Sequence, residues 1–112
     1  MPYTAHLNDM HNLLPVYDLA QFEQLLKSEF DQLYSEGPRR RRMMTVSLHD
    51  RIGTRPASIT MYDRVFDYMR SRDGMWFARK DEIAHWAMTH REATPTVQRG
   101  PAAKTGLPGP SR

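Results

Sequence analysis

Cysteine is absent from this chain, which excludes disulfides and thiolate metal sites and removes any argument for an oxidising compartment. Long apolar runs are absent as well. None approaches the ~18 residues that a membrane-spanning helix requires, and Met1-Pro2-Tyr3-Thr4 has neither the basic nor the apolar region of a signal peptide. A cytoplasmic protein with no membrane contact is the expectation. Glycine is sparse before residue 100, no phosphate-cradling loop can be built from it, and no segment repeats. Acidic residues nearly vanish after Arg91, where Pro95, Gly100-Pro101, Gly106, Pro108 and Gly109-Pro110 interrupt the chain. Residues 91–112 therefore read as a disordered basic tail, unable to bury enough surface to offset its ordering entropy.

What remains is ordinary for a folded protein: 112 residues, 39% hydrophobic and 26% charged, enough for one domain or part of one. The net charge of +3 is concentrated in the tail and in the run Arg39 to Arg42. Four consecutive arginines can bind phosphate, so a basic nucleic-acid-binding domain has to be weighed. No aromatic residue is interleaved with the run, however, and solvated loop charge ahead of a strand is the preferred reading, with no nucleic acid partner.

Hydrophobic spacing orders the rest. Tyr3-Thr4-Ala5-His6-Leu7 suits a short strand ending at the turn formers Asn8-Asp9. Asp18 followed by Gln21 resembles a capping box opening a helix. Phe22, Leu25, Leu26, Phe30, Leu33 and Tyr34 form its apolar stripe, and Gly37-Pro38 ends it, with the glycine expected in a left-handed cap. Met43 to Leu48 alternates as a strand. Pro56 fits the first turn of a second helix with Ile59, Tyr62, Val65, Phe66 and Met69 buried. Asp73-Gly74 marks a turn, Met75-Trp76-Phe77-Ala78 a short buried strand, and Asp81 the first turn of a third helix facing inward through Ile83, Trp86 and Ala87. This βαβαβα order implies an α/β fold with parallel strands and helical crossovers. Three short strands leave open edges, and a closed barrel needs about 250 residues, so residues 1–90 read as part of something larger, prone to aggregate or to stay molten when isolated.

His49 is the residue most suited to chemistry. Alternation places Met44, Val46 and Leu48 on one face of the expected strand and Met43, Thr45, Ser47 and His49 on the other. The imidazole thus leaves the apolar face at the carboxyl end, where βα architectures collect their catalytic groups.

Four blocks resemble the polysaccharide deacetylase (NodB-homology) family, allantoinase-like branch. Pro2-Tyr3-Thr4 with Asn8-Asp9 resembles a "PYT…ND" strand, and Phe30-Asp31-Gln32-Leu33-Tyr34-Ser35-Glu36-Gly37 an "FD-x-L-Y-x-EG" helix end. The run Met43 to Pro56 is similar to "RMMSVSLH-x-RI-x-GRP", and Trp76-Phe77-Ala78-Arg79 with Ile83-Ala84 and Trp86 to a closing "VWFARR…DIA…HW" block. Thr54 stands where the pattern has Gly, the arginine run is longer, and the last block is one residue shorter.

The resemblance implies the C-terminal third of a distorted (β/α) barrel, in a hydrolase that cleaves a C–N bond of an N-acetylated sugar or of a cyclic amide such as allantoin. It assigns His49 as general acid or base, a role suited to imidazole chemistry because a nitrogen leaving group must be protonated. Asp9 is assigned to the active-site aspartate position, and Asn8, Arg51 and Arg55 are candidate substrate contacts. The complete family fold can hold a divalent metal. Here His6/His11 and His85/His90 are five apart, about 500° around a helix, which turns the rings apart, so no cofactor is expected in this chain alone. Such a chain is expected to be inactive by itself and to need the remaining barrel or a second copy as partner. The rival from another class is a small docking protein that keeps one face of the barrel.

Overall fold

The computed structural model describes residues 5–90, so the expected tail, and Tyr3 and Thr4 of the first block, lie outside the described residues. Five helices follow one another: α1 Asp9–Leu13, α2 Leu19–Glu36, α3 Asp50–Gly53, α4 Pro56–Arg70 and α5 Lys80–Thr89. Asp18 caps α2 by accepting from the Gln21 amide at 2.9 Å, and Pro56 occupies the first turn of α4, where its missing N–H costs nothing.

The core is the seam between α2 and α4. Phe22, Leu26 and Phe30 meet Met61, Tyr62, Val65 and Met69, with Leu7, Leu13 and Ile52 closing one end. The rings of Phe22 and Tyr62 pack edge to face at 6.3 Å, a favoured aromatic arrangement. Polar groups tie the same helices at their margins: Arg64 reaches Glu23 at 2.6 Å and the Tyr68 hydroxyl donates to Asp31 at 2.7 Å. Among the described residues no helix is long and apolar enough to cross a membrane.

The expected partial (β/α) barrel with three strands is not formed. Residues 5–7 turn and bend, and 41–49 and 75–79 are irregular apart from a bridge at Ser47. Among the described residues the only β-pairing is an isolated parallel bridge between Asn8 and Ser47, in which the Ser47 amide donates to the Leu7 carbonyl at 3.0 Å and the Asp9 amide to the Ser47 carbonyl at 3.1 Å. The physical reason is that alternation says which side chains share a face, whereas a strand exists only where neighbours satisfy its backbone on either flank. The 41–49 segment finds such a neighbour at one position.

Smaller departures share that cause. Met44 and Val46 pack on the core, but Leu48 is 49% exposed, and Met75, Trp76 and Phe77 stand open to solvent instead of forming a buried strand. Helix α5 buries none of its residues. Ile83 and Trp86 are half-buried and Ala87 is exposed. Ile59 also faces out, while Ser58 and Met61 take the buried positions of α4. Gly37 is right-handed, at φ −49°, because the chain continues into a further turn in which the Arg39 and Arg40 amides donate to the Glu36 carbonyl. The left-handed glycine is Gly74, at φ +78°, in the Asp73-Gly74 turn.

Candidate active site

The Asn8–Ser47 bridge sets two chain segments side by side at the points where each becomes a helix. Asn8 caps α1, its Oδ1 accepting from the Met10 amide at 2.9 Å, and Asp9 is the first residue of that helix. Two residues beyond Ser47, His49 occupies the N-cap position of α3 but makes no side-chain cap bond. Its ring turns to Asp9 instead.

Asp9 holds His49 with both carboxylate oxygens. Oδ1 lies 2.7 Å from the imidazole Nδ1, and Oδ2 accepts from the His49 backbone amide at 2.8 Å. One carboxylate thus holds ring and main chain together, which removes most of the ring's rotational freedom. An ionised carboxylate only accepts, so Nδ1 carries the proton facing it and Nε2 is the nitrogen left for chemistry. Asp9 is wholly buried whereas the His49 side chain is 40% exposed. The anchor is inside and the working edge outside.

Two further residues border this pair. A Cβ on Gly53 would stand 3.2 Å from Asp9 Oδ2, 3.5 Å from Leu48 Cβ and 3.6 Å from Tyr62 Cε2, so any side chain there would press on the carboxylate. Tyr62 is 5% exposed, and its hydroxyl is buried without a hydrogen-bond partner. Burial pushes its phenol far above the ordinary range, and the charges of Asp9 and then Tyr17 push it the same way. Tyr62 therefore stays a neutral donor. By spacing Tyr62 is a core residue of α4, and Gly53 does not stand out as part of a site. The one sequence clue was a glycine four residues after the histidine, in the single turn of α3.

The other candidates are spread out. Asn8 is buried. Arg51 is exposed on α3, and Arg55, exposed before α4, places its guanidinium 5.1 Å from the Tyr17 ring, whose hydroxyl pairs with Ser58 at 2.7 Å. The arginine run is engaged within the chain: Arg40 and Arg42 pair with Glu36, and Arg41 lies 4.3 Å over Trp86. Among the described residues no group of three or more His, Cys, Asp or Glu side chains could hold a metal ion. The pair offers one carboxylate and one imidazole, fewer donors than a divalent cation held by protein takes.

The chain is similar to known proteins over most of its own length. Over 94 residues the chain is 32% identical to the "Putative polysaccharide deacetylase" of Schizosaccharomyces pombe, which covers 80% of this chain and 29% of that protein. The crystal structure of a "probable Polysaccharide deacetylase" from Pseudomonas aeruginosa PAO1 superposes with a TM-score of 0.73 at 40% identity, over 80% of this chain and 31% of that one. Over four-fifths of its length the chain thus matches proteins described as polysaccharide deacetylases. Puue allantoinase superposes nearly as well, with a TM-score of 0.72 at 37% identity and the same coverage. No family-level sequence profile matches. The chain spans about three-tenths of the length of the proteins it resembles.

Proposed function

We propose that this chain supplies the acid–base histidine of a hydrolase that cleaves C–N bonds in amides, of the N-acetylated sugar or cyclic-amide class. The observation that carries the reading is the double grip of buried Asp9 on the ring and amide of His49. In such a reaction water adds to the carbonyl carbon, and the C–N bond breaks as the nitrogen takes a proton. Nε2 of His49 takes a proton from the water as it adds and passes it to the leaving nitrogen, while Asp9 keeps Nδ1 protonated and the ring aimed. A positioned imidazole contributes about 10²–10⁴-fold to such a step. The relatives named a deacetylase and an allantoinase support the substrate class. Asn8, Arg51 and Arg55 are the substrate-side candidates within this reading, and the remainder of the site comes from the portion of the fold that the relatives have and this chain does not span.

The test replaces the matching segment of the Pseudomonas aeruginosa relative with this chain and measures release of acetate from N-acetylated sugar oligomers and ring opening of allantoin. His49→Ala in that chimaera should lower turnover by about 100-fold or more with the fold intact. Turnover within a few-fold of the parent would reduce His49 to a loop residue. A second reading, a docking module, is favoured by one observation: Leu48, Trp76 and Phe77 are open to solvent. Catalytic silence of the chimaera, together with a stoichiometric complex formed by the chain, would favour it.

A further inference from the structure

Arg64, Arg70 and Arg79 each have a carboxylate beside them, on Glu23, Asp67 and Asp81. Among the described residues Arg55 has none: its guanidinium lies 5.1 Å from the Tyr17 ring instead. The first turn of α4, which follows it, holds no acidic residue. The ring is itself held. The Tyr17 hydroxyl shares a 2.7 Å hydrogen bond with Ser58 Oγ, and Ser58 is wholly buried in α4. A cation over an aromatic face is attracted by the ring's quadrupole, so a phenol pinned on a buried serine gives the exposed guanidinium a fixed seat. That seat adjoins the Asp9–His49 pair. Arg55 precedes α4 as His49 precedes α3, and only the single turn of α3 and Thr54 separate them. Ser58 lies one turn before Tyr62 on the same face of α4, and the Tyr62 ring edge borders Gly53 next to Asp9.

We propose that Tyr17, anchored on Ser58, is a positioning residue for Arg55, and that Arg55 binds the carboxylate that amide hydrolysis produces. This rests on the hydrolase reading above and adds the chemistry of the product. Water cleaving an amide C–N bond leaves a carboxylate in either case. Removal of an N-acetyl group frees acetate, and opening of a cyclic amide leaves the carboxylate attached to the rest of the molecule. A guanidinium fork matches both oxygens of such a group, and an arginine with no carboxylate of its own has that fork to offer. Seating it on a ring reduces the freedom it must lose on binding. Arg51 is a poorer source of the fork, because among the described residues neither a ring nor a carboxylate holds its guanidinium.

The test is proton–nitrogen NMR of the arginine Nε groups in the full chain, which needs no activity. Sodium acetate should move the Arg55 signal saturably, and sodium chloride at the same ionic strength should not, with Arg51 as the internal control. Ureidoacetate, the opened form of a cyclic ureide, is the second probe. Tighter binding than acetate assigns the ring-opened product, and equal or weaker binding assigns acetate. Tyr17→Phe keeps the ring and breaks its bond to Ser58, and Ser58→Ala breaks the same bond from the other side. Each should weaken acetate binding several-fold, and the double variant should do no more than either alone, because one bond is lost in all three. An Arg55 signal that responds no more than that of Arg51 would overturn the carboxylate seat, whatever the variants do. Acetate affinity unchanged in both single variants would overturn the positioning role. If Arg55 holds acetate and the chimaera hydrolyses nothing, the hydrolase reading fails and the seat stands. In an active chimaera Tyr17→Phe should weaken inhibition by added product several-fold. Inhibition as strong as in the parent would count against the seat and leave the hydrolase reading intact.

Discussion

The stretch from Met75 to Thr89 is richer in apolar residues than the two helices of the α2–α4 seam, yet it is the seam that is buried. In the seam, Phe22, Leu26 and Phe30 meet Met61, Val65 and Met69 and lose nearly all contact with water. In the later stretch Trp76 remains 54% exposed and Phe77 49% exposed, and α5 buries nothing. Trp76 meets Trp86 edge to face at 6.4 Å, His90 stacks on Trp86 at 4.6 Å, and Phe77 alone reaches α4, edge to face with the half-buried Phe66 at 6.4 Å. A helix or extended segment with one apolar face is stable only against a second such face. The seam holds both halves of that pairing within the described residues, and the later stretch holds one. The site sits on the well-packed side: Asp9 belongs to the end of the core closed by Leu7, Leu13 and Ile52, which is why its grip on His49 is built without help from α5.

The largest expected effect breaks this contrast directly. Phe22→Ala should cost about 3–5 kcal/mol, the usual range for emptying a packed aromatic site, whereas Phe77→Ala should change stability by no more than about 0.5 kcal/mol, as for an exposed position. Urea denaturation of the two variants checks the difference. Equal losses would mean that Phe77 is covered in solution. Next comes Gly53→Ala, where the added methyl would stand 3.2 Å from the Asp9 carboxylate. Overpacking of that kind costs about 1–3 kcal/mol, and thermal melts should show it without any change in helix content.

The smallest effect concerns acid. Hydrogen bonds from Arg64 and then Lys27 hold the Glu23 carboxyl down to about 2, below its ordinary 4.5. A carboxyl lowered by folding stabilises the protein fully above its unfolded value and loses that contribution as pH falls through its folded value. The stability that Glu23 adds to the seam should therefore be complete above about pH 4.5 and should drain away between there and about pH 2. Melting temperatures across this window should fall less steeply in Arg64→Gln than in the parent. Identical slopes would show that the pair is too well solvated to matter.

Helices α2, α4 and α5 were legible because each signal lies within its own segment. Asp18 and Gln21 open α2, Pro56 opens α4, and the period of Phe22, Leu26 and Phe30 repeats inside one element. The strands were not legible as they turned out, because Met43 to Leu48 carries alternation yet cannot carry its own neighbours. Leu48 shows the difference within one segment: it shares a face with Met44 and Val46, and lies beyond the reach of the core that covers them. Gly37 misled for a related reason, since glycine permits a left-handed turn without compelling one.

At the site the division is similar. Sequence spacing alone set His49 just before a turn of helix and marked Phe22, Leu26, Phe30, Tyr62, Val65 and Met69 as inward-facing. It also pointed Ile59 and Tyr34 inward, which are exposed, and missed Ser58 and Met61. Only the tertiary structure brought Asp9 across forty residues to both the ring and the amide of His49 and set the Asp9 carboxylate and the Tyr62 ring edge against Gly53. Local order follows from backbone sterics and periodic burial, which a segment contains in itself. A buried carboxylate, a neighbouring phenol and the gap between them depend on how separate segments pack, and no single segment encodes that distance.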